Sequence, residues 1–221
     1  MVQLRIQFLM QEHHYMKKLA IGLMCLVATS AACADPLQNF YAGAYGGYGG
    51  MSGTAESSGD FTQGQFALGY QQMLTNHPRV TLGGEFGVQS GNSLSLGGNP
   101  TPGGAGIPLN ATLKPLFDFL ADAKYQLSPR FPLFGLVKFG FAYRQLNLTG
   151  VSSASDIANT VAPELEAGFG YNITQHAMIT TFYQGIYADS TAHVGIDSSG
   201  NPTINNVPTQ QAGFIGLEYS F

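Results

Sequence analysis

From residue 209 to the end of the chain, side chains alternate one for one. Gly213, Ile215, Leu217, Tyr219 and Phe221 share one parity; Ala212, Phe214, Gly216, Glu218 and Ser220 share the other. A period of two sends successive side chains to opposite faces of an extended strand, so one face suits an apolar solvent and the other does not. Comparable alternation predicts strands at 40–51, 62–72, 80–90, 111–127, 132–147, 160–172, 176–188 and 209–221. Each is about 11 to 17 residues, enough for a tilted transmembrane strand and about twice the usual soluble strand.

The charges obey the alternation. In 111–127, Leu113, Phe117, Phe119, Ala121, Ala123, Tyr125 and Leu127 are expected outward, with Lys114, Asp118, Asp122 and Lys124 inward. In 132–147, Leu133, Val137, Phe139, Phe141 and Tyr143 oppose Lys138 and Arg144. In 160–172, Val161, Leu165, Ala167, Phe169 and Tyr171 oppose Glu164 and Glu166, and in 80–90 Leu82, Phe86 and Val88 oppose Glu85. A charge on a lipid face costs about 2 to 4 kcal/mol at the midplane, which explains why the charged parity is kept apart from the apolar one.

Connections alternate too. Thr75–Pro78, Ser128–Phe131 and Ile173–Gln175 are tight turns, whereas 52–61, 91–110, 148–159 and 189–208 are longer and rich in Gly, Ser, Asn, Thr and Pro. Tyr70, Tyr125, Tyr171 and Tyr219 fall near the short-turn end, and Tyr143 and Tyr187 near the other, as two aromatic girdles. An open sheet cannot leave an unpaired edge in lipid, so the strands must close. The expected fold is all-β: a transmembrane eight-stranded antiparallel up-and-down β-barrel with short periplasmic turns and four longer extracellular loops.

Composition agrees. Only 10% of residues are charged, while the apolar share is 44%, with 29 glycines and no tryptophan. This is not the surface of a soluble helical protein. A formal charge of −4 argues against nucleic acid, which needs clustered Lys and Arg.

Met16–Ala34, with Lys17 and Lys18, a short apolar run and the small residues Ala32-Cys33-Ala34, is expected to be a cleaved signal peptide. Residues 1–34 form this leader, with 1–15 an upstream extension and Met16 the better start; 35–221 is the barrel. Cys25 and Cys33 both lie in the leader, so the mature chain carries no thiol.

With Phe40-Tyr41-Ala42-Gly43 opening the first strand and Phe214 to Phe221 closing the last, the chain resembles the OmpA-type and opacity-protein family of small outer-membrane barrels. The resemblance implies localisation in the outer membrane of a Gram-negative bacterium, among lipid and lipopolysaccharide. It also implies a C-terminal signal for the barrel-assembly machinery in Ile215, Leu217, Tyr219 and Phe221. Unlike two-domain members, the chain is expected to stop at the barrel.

The inward set is Glu85, Lys114, Asp118, Asp122, Lys124, Lys138, Arg144, Glu164, Glu166 and Glu218. An eight-stranded barrel is just wide enough to be filled by side chains, and buried charges must pair. The expectation is a sealed, salt-bridged interior rather than an ion-selective pore. Lys138 and Asp122, symmetric in number about Arg130, are expected to be partners on adjacent strands. Glu164 and Glu166 simply share a strand face, and no catalytic, cofactor or metal residue is expected.

Some barrels of this size modify lipid A through His with Ser and an acid near the outer rim. Here His77 and His176 sit at periplasmic turns, and only His193, near Asp189, Ser190 and Thr191, lies on the outer side. The outer loops carry Glu56, Asp60, Asp156, Asp189 and Asp197 without Lys or Arg, and Gly97–Gly104 is low in complexity. The reading is a non-enzymatic surface barrel displaying acidic loops, with a host surface molecule as a candidate partner; the alternatives are a narrow passive channel and a lipid A-modifying enzyme.

Overall fold

The computed structural model describes residues 39–52, 61–96, 109–128, 130–149, 157–187, 194–196, 202–204 and 207–221. The expected leader with Cys25 and Cys33, the loop acids Glu56, Asp60, Asp156, Asp189 and Asp197, His193 with Ser190 and Thr191, and Gly97–Gly104 lie outside the described residues.

Twelve strands follow in chain order: β1 (Phe40–Ser52), β2 (Phe61–Leu74), β3 (His77–Gln89), β4 (Asn92–Leu96), β5 (Leu109–Leu113), β6 (Leu116–Gln126), β7 (Leu133–Thr149), β8 (Ile157–Asn172), β9 (Ala177–Ile186), β10 (Val194–Ile196), β11 (Pro202–Ile204) and β12 (Thr209–Ser220). Every pairing is antiparallel, and β1, β2, β3, β6, β7, β8, β9 and β12 follow one another around a ring that the β1–β12 and β7–β8 ladders close. The result is an eight-stranded barrel. Strands β4 and β5 prolong the β3–β6 hairpin, and β10 pairs with β11.

Strand periodicity sorts the faces. In β8, Val161, Leu165, Phe169 and Tyr171 are exposed while Ala162, Glu164 and Glu166 are buried. The six girdle tyrosines are all exposed, and Tyr70 packs edge-on against Phe40 at 5.2 Å between centroids.

Two expectations need correction. The stretch 111–127 is not one strand of constant parity. Leu113 pairs with Leu146 of β7, but Phe117 pairs with Tyr143, so three residues (114–116) on one side face two (144–145) on the other. That extra residue is a β-bulge, and Pro115, which has no N–H to give the ladder, sits in it. Below the bulge the expected faces hold; above it they are reversed. Leu113 is 1% exposed inside the barrel, and Lys114 is exposed. Second, residues 92–96 and 109–110 of the expected loop 91–110 are strand, because β4 and β5 carry the hairpin onward.

Interior glycines are the counterpart of large interior side chains. A Cβ on Gly69 would run into the Tyr41 ring, and one on Gly87 into the Asp118 carboxylate. Tyr41 and Tyr45, on the first strand, point inward and are buried.

Candidate functional site: the barrel interior

Nine of the ten residues expected inside are buried there: Glu85, Asp118, Asp122, Lys124, Lys138, Arg144, Glu164, Glu166 and Glu218. Lys114 is the exception, turned out by the bulge. The described interior therefore holds six acids against three bases. Their side chains are stacked in tiers along the barrel.

Nearest the short turns, Lys124 on β6 reaches Glu218 on β12 at 2.5 Å. Its ammonium lies 4.9 Å from the centroid of the Tyr41 ring and 5.3 Å from that of Phe134. Aromatic faces suit a desolvated cation through their negative quadrupole. Asp122 accepts a hydrogen bond from Gln71 Nε2 at 2.7 Å.

In the next tier Lys138 Nζ donates to both oxygens of Glu85 at 2.8 Å and lies 3.2 Å from Glu166 Oε2. The rings of Phe182 and Tyr45 flank it, at 4.9 and 5.4 Å. Tyr41 completes the Glu85 site by donating its hydroxyl to Oε2. The expected partner of Lys138 is thus corrected: Asp122 does stand opposite it in register, yet the ion pairs go to Glu85 and Glu166. An aspartate reaches little beyond its own strand, whereas glutamates project farther into a narrow lumen.

Higher still, amides replace cations. Gln184 Nε2 donates to Glu164 at 2.6 Å and to Glu166 at 3.1 Å, and Gln89 Nε2 lies 3.5 Å from Asp118. Gln210 Nε2 lies 3.0 Å from Gln63 Oε1 and 3.4 Å from Gln184 Oε1. Arg144 donates to the Pro208 carbonyl at 2.7 Å and to Gln210 at 3.1 Å, joining β7 to the chain entering β12. Beyond it Met51, Phe61, Ala111, Leu113, Leu146, Ala158 and Val207 form a buried apolar cluster.

The glutamines and interior tyrosines are what a search for charges passes over. Gln89 does share the parity of Glu85, and Gln63 and Gln65 oppose Phe66, Leu68 and Tyr70, so the signal was present without a charge to mark it.

Chemically, the arrangement of the described residues neutralises buried charge and cross-links the strands across the lumen. His77 and His176 lie at the short-turn end, and His176 Nδ1 is 2.9 Å from the Ser220 carbonyl oxygen. Among the described residues no group of three or more His, Cys, Asp or Glu side chains is placed to hold a metal ion. Ile215, Leu217 and Tyr219 are exposed on the outer face of β12, and Phe221 follows the strand half-buried.

A family model described as "Outer membrane protein beta-barrel domain" matches residues 19–221. No curated protein sequence matches the chain. Among solved structures, the chain is similar to the outer membrane protein OprG from Pseudomonas aeruginosa, with 12% identity over 83% of this chain and 96% of that one and a TM-score of 0.52. It also matches Ail, the attachment invasion locus protein of Yersinia pestis, in complex with the heparin analogue sucrose octasulfate, with 12% identity over 82% of this chain and 96% of that one and a TM-score of 0.49. Neisserial surface protein A matches with 13% identity over 83% of this chain and 97% of that one, at a TM-score of 0.45. At such identities the likeness speaks to the fold alone.

Proposed function

The chain belongs to the outer membrane protein β-barrel family, and from that membership we propose that it is a non-enzymatic surface barrel with a closed lumen, a membrane-embedded scaffold that holds extracellular loops in place. The observation that carries this reading is the filling of the lumen. Lys124 meets Glu218, Lys138 is 0% exposed between Glu85 and Glu166, Arg144 ties β7 to Gln210, and an apolar cluster lies beyond. A diffusion pore needs a continuous water path along its axis; these tiers interrupt one repeatedly.

Planar-bilayer recording of the purified protein tests it. The expected result is no steady conductance; a stable open level in the nanosiemens range overturns the closed reading in favour of a channel. Mass spectra of lipid A from cells with and without the protein are expected to be identical, and an altered acyl pattern makes it an enzyme.

The loops extend the proposal. Glu56, Asp60, Asp156, Asp189 and Asp197 make a display surface that repels polyanions, so a host partner of these loops would be neutral or basic. Residues 1–34 are proposed to be removed on export, giving a mature chain that begins at Asp35, and Ile215, Leu217, Tyr219 and Phe221 to be the strand read by the assembly machinery. N-terminal sequencing of the outer-membrane form tests the cleavage.

A further inference from the structure

On the lipid-facing surface of β3, β6, β7 and β8 a groove of about 480 Å³ lies near the short-turn end. Two rungs of the ladders make it: Tyr125, Gly135 and Phe169 lie side by side in register, and Ala123, Val137 and Ala167 form the next rung. Glycine at the centre of an aromatic rung leaves a slot between two rings. The slot is open rather than filled by the barrel itself, since a Cβ on Gly135 would meet nothing nearer than the Gly168 carbonyl oxygen, at 4.0 Å.

Two exposed arginines lie on the short-turn side of the groove. Arg130 is exposed at the centre of the turn whose two arms carry Tyr125 and Gly135, and exposed Arg79 directly precedes Val80, another lining residue. All six described acidic side chains are buried inside the barrel, so among the described residues no exposed acidic side chain offsets these arginines.

We propose that this groove is a binding site for one anionic glycerophospholipid of the periplasmic leaflet, an acyl chain lying over Gly135 between Tyr125 and Phe169 and the phosphate meeting Arg130 and Arg79. It rests on the membrane-embedded barrel of the preceding section and adds a particular lipid at a particular place. An acyl chain in the slot gains ring and methyl contacts on both sides, more than a chain lying on a single side chain gains. Guanidinium groups favour phosphate through paired N–H donors, and an anionic headgroup adds Coulomb attraction that a zwitterionic one lacks. The short-turn location selects a phospholipid over lipopolysaccharide, which occupies the opposite leaflet.

The full barrel, solubilised in mild detergent, is titrated with phosphatidylglycerol, and bound lipid is read by native mass spectrometry beside phosphatidylethanolamine and lipopolysaccharide. The expected result is a one-lipid adduct favouring phosphatidylglycerol about fivefold per arginine, lost stepwise in Arg130→Gln and Arg79→Gln. Gly135→Leu and, independently, Ala167→Leu fill the slot from the lipid side and are expected to abolish the adduct while the heat-dependent gel shift of the barrel persists. Equal adducts in wild type and both filled variants overturn the site, as does a preference for lipopolysaccharide. A dimer that disappears in Gly135→Leu overturns it in favour of self-association. A protein without a gel shift, or found outside the membrane, fails at the barrel itself, which separates that outcome from failure of the groove.

Discussion

Lys124 and Glu218 stand on strands that are diametrically opposed in the ring, four places apart in either direction, and their side chains meet at 2.5 Å across the lumen. No adjacent-strand pair could report on the whole circumference in this way. Because β12 is the last strand of the chain, this ion pair exists only when the cylinder is shut.

Removing the cation should therefore cost more than a surface pair would. Lys124→Met leaves the Glu218 carboxylate buried without its partner, and a loss of about 3 to 5 kcal/mol in unfolding free energy is expected. Adding Glu218→Gln to it should restore most of that loss. Urea unfolding of the refolded barrel, followed by gel shift and tyrosine fluorescence, measures both.

Lys138 serves two carboxylates, so its removal leaves Glu85 and Glu166 without that counter-charge. Lys138→Met is expected to lower the temperature at which the compact SDS-resistant band converts to the unfolded one by more than Lys124→Met does. Glu166→Gln should be milder, since Glu85 still holds the ammonium with two 2.8 Å contacts.

Glycines inside and outside the wall should respond oppositely. Gly69→Leu drives a side chain into the Tyr41 ring, and folding yield should collapse; Gly46→Leu, where an added Cβ meets nothing within 4 Å and the side chain enters lipid, should be neutral. The fraction of heat-modifiable protein in outer membranes is the readout.

The bulge makes a prediction about water. In whole cells a membrane-impermeant maleimide should label Lys114→Cys and spare Leu113→Cys, because the structure exposes the first position and buries the second. An uninterrupted strand of constant parity would give the reverse.

The membrane-embedded portion was legible because two solvents impose a strict rule on it. Lipid on one face and a crowded lumen on the other leave Asp118, Asp122, Lys124, Lys138, Glu164 and Glu166 only one parity each. Hairpin symmetry about Arg130 likewise places Asp122 opposite Lys138. Which side chains then touch was only partly legible: Lys138 does meet Glu166, its register partner on β8, but contacts across the lumen depend on reach and height. Lys138 passes over Asp122 to Glu85, two strands away. Gln184 and Gln210 are neutral amides, which leave no mark in a count of charges. Lys114 and Leu113 were misplaced because a single extra residue beside Pro115 inverts every face above it.

That extra residue separates two grammars in one hairpin. Below it, a substitution is judged by lipid and by the packed lumen; above it, Ala111 and Leu113 of β5 answer to the buried cluster and Lys114 to water. A phase slip at the boundary lets the outward face above it be rewritten without moving a letter of the pattern that keeps the wall in the membrane.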